Sequence, residues 1–108
     1  MPVSQRDCAI SRRTVVKNEG EAVVDVEQGI MAIGGELHSD EEAVLLDQRS
    51  EQRHLWGINL YPDKPLNEWI EFDSMINVRP SGGNRSRSVE SSEIREAVTR
   101  IVNRLVGS

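Results

Sequence analysis

A chain of 108 residues, 37% hydrophobic but only 4% aromatic, is long enough for one domain, with a core built mostly from Val, Ile and Leu. Its formal net charge of -5 argues against broad nucleic-acid binding, which calls for a basic surface. The single cysteine, Cys8, excludes an intramolecular disulfide and zinc sites built on several thiolates.

In chain order, residues 1–20 are polar and form an atypical N-terminal arm, with one short apolar run at residues 14–16. Residues 21–108 are expected to form a single α+β domain. Residues 22–27 (AVVDVE) predict a strand, Gln28-Gly29 a turn, and residues 30–38 the returning strand of a hairpin. On that strand Glu36 and His38 share one face, and Asp40 extends it. Imidazole and carboxylates so placed are candidate metal ligands (Glu36, His38, Asp40), or an acid–base set if Asp73 joins Glu36 and His38. The plainer alternative is the polar outer face of a sheet. Residues 43–46 (AVLL) read as a short strand. Residues 54–61 (HLWGINLY) read as a longer one, with Trp56, Ile58 and Leu60 facing the core.

Residues 69–78 alternate in period two and predict a strand that Pro80 ends. A polar loop follows. Residues 79–104 hold six arginines against three glutamates, net +3, which leaves the rest of the chain at -8. Arg79 and Arg85 offer planar guanidinium forks, and Gly82 and Gly83 permit close backbone approach. Asn77, Asn84 and Ser86 add amides and a hydroxyl. Together they predict an anion-binding loop, against the plainer reading of a solvated one. Residues 91–106 then carry Ile94, Ala97, Val98, Ile101, Val102 and Leu105 in one helical stripe, capped by Ser91 or Ser92. The expected architecture is therefore α+β: an antiparallel meander sheet of four or five strands, with one C-terminal helix packed on one face. A single helix leaves the second face open, which suggests a homodimer.

The segments GGELH-S-D (residues 34–40), WG (Trp56, Gly57) and IN-V-RP-SGG-NRS (residues 76–86) carry a resemblance. The chain resembles a small bacterial family of uncharacterised proteins. Glu36, His38, Asp40, Trp56, Gly57, Asn77, Arg79, Pro80, Asn84, Arg85 and Ser86 fall on its pattern. The resemblance implies no particular activity. It implies an amphipathic helix ahead of the first strand, a pattern that residues 1–20 lack.

Three functions are weighed. The first is a binding module in which Asn77, Arg79, Gly82, Gly83, Asn84, Arg85 and Ser86 hold a small anionic ligand. The second is a small hydrolase or metal-dependent enzyme using Glu36, His38 and Asp73, with Arg79 and Arg85 stabilising negative charge. The third is an interaction subunit that docks through a sheet edge or face. No nucleophile elbow, P-loop, HExxH or CxxC motif is present, and the sequence leaves the cofactor unknown. No apolar run approaches a membrane span and no hydrophobic leader opens the chain, so a cytoplasmic location is expected.

Overall fold

Apolar alternation in residues 22–24 builds the centre of the sheet. The computed structural model describes residues 9–11, 20–34, 37–65 and 68–105. Strand β2 (Gly20–Asp25) pairs antiparallel with β3 (Ile30–Ile33) on one side and with β4 (Leu55–Leu60) on the other. Strand β1 (Ala9–Ser11) pairs with β3, and β5 (Ile70–Glu71) with the end of β4, giving the order β1-β3-β2-β4-β5. The residue 14–16 run lies outside the described residues.

The β2–β3 turn is fixed from within. Buried Asp25 accepts the N–H groups of Glu27 and Gln28 at 2.9 and 3.0 Å on Oδ1. Its Oδ2 accepts Gln28 Nε2 at 2.9 Å and the Ser50 hydroxyl at 2.6 Å. Gly29 closes the turn at φ +69°, in the left-handed region that glycine enters without strain.

The two faces of the sheet are covered by different helices. Ala22, Val24, Met31, Trp56, Ile58 and Leu60 pack with Val89 and with Val98, Ile101, Val102 and Leu105 of the C-terminal helix, Ser92–Leu105. This is the stripe read from the sequence, and Ser91 Oγ caps it by accepting the Ile94 N–H at 3.3 Å. On the other face Val23, Ile30, Ala32 and Leu55 pack with Leu45 of helix α1 (His38–Asp47) and with Ile76; the C-terminal helix is α2.

The class is α+β, with an antiparallel sheet and a C-terminal helix, but several local expectations are corrected. Strand β3 stops at Ile33, and residues 38–47 are helical, so neither the strand through residue 38 nor the one at 43–46 forms. Asp40 accepts the Leu37 N–H at 3.0 Å, and Asp40 and Glu41 place carboxylates in the first turn, which suits the positive end of a helix. Helix α1 also crosses between β3 and β4, which lie on opposite sides of β2, so the connection there is not a meander. Finally, α1 covers the face expected to be open, which removes the premise on which a homodimer was expected.

Candidate functional site

The segment 72–90 does by side chains what a strand would do by backbone. Strand β5 pairs only with Asn59 and Leu60 of β4. Further back, Asn77 takes over: Oδ1 accepts the Gly57 N–H at 2.8 Å, and Nδ2 donates to Gly57 O at 2.9 Å. The same Nδ2 donates to Arg87 O at 2.9 Å, and Asn77 is fully buried. The approach needs glycine at 57. A Cβ there would stand 2.6 Å from both Cβ and Oγ of Ser74 and 3.1 Å from Ile76 Cγ1.

Arg79 continues the seal. Its Nε donates to Ile76 O at 3.1 Å, Nη1 to Gln52 O at 2.9 Å, and Nη2 to Leu55 O. The guanidinium lies over the Trp56 ring, 4.1 Å from its centroid, a cation–π contact. Burial pushes its pKa down, while the Glu42 carboxylate pushes it up. Asn84 then ties the loop. Its Nδ2 reaches the carbonyls of Asn77 and Ser88, both at 2.7 Å, and of Ser86 at 3.0 Å. Its Oδ1 accepts the Glu90 N–H at 2.8 Å. Arg79 and Asn84 also form a backbone bridge, around a 3-10 turn (Pro80–Gly82) that Gly83 ends at φ +87°.

The next two residues do hold an anion, and it is internal. The N–H groups of Arg85 and Ser86 converge on Glu90 Oε2 at 2.9 and 2.8 Å. The Ser86 hydroxyl, then these two N–H groups, hold the exposed Glu90 carboxyl below the usual carboxylate range, and the Arg85 charge acts in the same direction.

His38 opens α1 and is buried beside a cleft of about 240 Å³. Its Nδ1 lies 3.1 Å from Glu21 Oε1 on β2, and its Nε2 lies 2.7 Å from Ile58 O on β4. Both ring nitrogens therefore face acceptors, and the ring pins the start of α1 to two strands. Leu37, Ser39, Ser74, Met75, Ile76 and Arg87 complete the cleft. Arg87 Nε is 2.7 Å from Asp73 Oδ1.

The matching family model spans residues 4–105 and is described as a protein of unknown function, DUF5674. The chain belongs to this DUF5674 family. No curated protein and no solved structure matches it. The family match begins at residue 4, so it takes in most of the N-terminal segment as well as the sealed edge and the cleft of this DUF5674 protein.

Among the residues read as candidates from the sequence, Asn77, Arg79 and Asn84 come together as the edge seal, and Arg85 and Ser86 as the cradle around Glu90. Gly82 is exposed and Gly83 supplies the positive φ. His38 does not join Asp40 on a strand face, because both lie on a helix and Asp40 caps it. Asp73 joins Arg87, while Arg79 and Arg85 do not line the His38 cleft. Glu36 lies outside the described residues. Among the described residues no three His, Cys, Asp or Glu side chains group as metal ligands, and no helix is long and apolar enough to cross a membrane. Sequence reasoning missed Glu21, Ser74, Met75 and Arg87. Strand alternation held one signal: Glu21 shares a face of β2 with Val23, the face that α1 covers.

Proposed function

We propose that this DUF5674 protein is a non-catalytic binding module whose contact face is the cleft at the start of α1. One observation carries the reading. Leu37 and Met75, 60% and 65% exposed, are two of the three large apolar side chains exposed among the described residues, and both line this one cleft. Covering such a rim releases water from apolar surface. Arg87 keeps its terminal nitrogens beyond the Nε contact with Asp73, so a partner segment that sets an apolar side chain beside a carboxylate fits. The polar floor argues against a hydrolase, since both ring nitrogens of His38 are already engaged by Glu21 and Ile58 O and neither is left open to a substrate. The test is an amide NMR titration with acetyl-Leu-Glu-amide and acetyl-Leu-Lys-amide. The acidic peptide is expected to shift the Ser39, Met75 and Ile76 amides more than the basic one, and the double variant Leu37→Ser/Met75→Ser to abolish the shifts. Unmoved amides at saturating peptide overturn the reading.

A second reading rests on Glu90. A carboxylate already sits between the Arg85 and Ser86 N–H groups, so the loop accepts oxyanions, and Glu90 stands where a ligand's oxyanion would. Inorganic phosphate is then expected to shift the Arg85 and Ser86 amides in Glu90→Ala and to do so weakly in the parent. No shift in the variant removes this reading and leaves the first untouched.

A further inference from the structure

We propose that the groove between the β2–β3 turn and the second half of α2 is a separate binding site, for a small molecule that joins an oxyanion to an apolar body. The groove encloses about 460 Å³, within the size range of small-ligand sites. Val26, Ala97 and Ile101 form its apolar wall, and Arg100, Arg104 and Glu27 supply its charges.

The two guanidiniums decide the ligand's sign. They lie one helical turn apart on the same side of α2, where like charges repel until an anion is placed between them. The carbonyl end of α2 alone would disfavour an anion, so the arginines must overcome it. Against them stands one lining carboxylate, Glu27, which favours a singly charged oxyanion over a doubly charged one.

The groove also shows construction. Arg104 Nη2 donates to Gly29 O at 3.0 Å, which fixes one guanidinium over the turn. The turn holds φ at +69° at Gly29, which calls for glycine there and presents its carbonyl to the arginine. Asp25 stiffens the turn from beneath. Arg100 has no hydrogen-bond or ion-pair partner among the described residues, whereas its neighbours in sequence do. Arg95 is bound to Val89 O and to Ser88 Oγ, and Arg87 to Asp73. Arg100 is thus a permanent cation beside an apolar wall with its five donors unmatched.

Phenylacetate, phenyl phosphate and inorganic phosphate are titrated separately into the full chain, following amide shifts of Gly29, Ala97, Arg100 and Ile101. The two aromatic ligands are expected to bind at least about tenfold more tightly than inorganic phosphate, because only they cover the apolar wall. Arg100→Ala is expected to weaken them by about tenfold, the loss of one charge-assisted contact. Arg100 is exposed, so the variant keeps the fold, as its spectrum will report. Which aromatic ligand binds more tightly separates a carboxylate site from a phosphate site. Equal binding of inorganic phosphate overturns the apolar body, and shifts indifferent to Arg100→Ala overturn the site. These amides are remote in sequence from those that report on the α1 cleft and on Glu90, so each reading fails separately.

Discussion

Replacing Asn77 by alanine tests whether segment 72–90 stands in for a strand. The substitution removes three hydrogen bonds and strands Gly57 N–H, Gly57 O and Arg87 O at a buried seam. Each buried group left without a partner costs about 1–3 kcal/mol, so with partial water entry the loss is about 3–5 kcal/mol. A domain of this size holds roughly 5–15 kcal/mol in all, and the melting point should fall by about 15 °C or more. Asn77→Asp sharpens the test. Its Oδ1 still accepts the Gly57 N–H, but an oxygen replaces the donor that faced two carbonyls. At neutral pH it should be at least as damaging as alanine. A carboxylate facing carbonyls has its folded pKa raised, so the folded form binds the proton more tightly and stability rises as pH falls through that range. Urea unfolding followed by tryptophan fluorescence, at about pH 7 and about pH 5, reads both effects. An alanine variant that loses less than about 1 kcal/mol would refute the reasoning, because water would then do the work assigned to the amide.

The other expectations use the same seam and the turn opposite. Gly57→Ala forces its Cβ onto Ser74 and should cost about 2–3 kcal/mol, with Ser74→Gly restoring part of it in the double variant; strict additivity of the two would contradict the steric cause. Arg79→Lys keeps the charge but loses the fork to three carbonyls and the stacking on Trp56, and should cost about 2–4 kcal/mol by chemical denaturation. A neutral result would mean that charge alone matters there. Burial raises the Asp25 pKa, but hydrogen bonds from Ser50, Gln28 and Glu27 together outweigh it and hold the value below 3.8. Its contribution is present above that unfolded value and fades as pH falls through the folded one. The stability gap between the parent and Asp25→Asn should therefore narrow between about pH 7 and about pH 2. A constant gap would show that ionisation of Asp25 does not matter.

Much of the fold is legible in the sequence where one face is purely apolar. The α2 stripe and the alternation in β2 and β4 are of that kind. Helix α1 is not, because its buried positions are His38, Glu41 and Leu45, and two of those three read as polar. The apolar run at 43–46 is too short to separate strand from helix by period. Its acidic first turn was the signal that pointed to a helix. At residues 69–78 the period-two pattern is real, but the Ser74 hydroxyl takes the Ile76 N–H at 3.3 Å and starts a 3-10 turn instead. The density of arginine and amide groups in the loop that follows was also legible. Its use was not. Charge counting cannot tell whether a guanidinium will meet a ligand's carboxylate or three of its own carbonyls, and nothing local links Asn77 to Gly57, 20 residues earlier.

The seal along β4 also has a consequence for alignment. A true strand at this edge would be addressed only by its alternation, and a shift of two residues would leave every side chain on its proper face. An amide that must meet Gly57 and a guanidinium that must meet Leu55 admit no such shift. Segment 72–90 therefore has one docking position on the sheet, and everything it carries to the α1 cleft, Ser74, Met75, Ile76 and Arg87, is delivered to a single address.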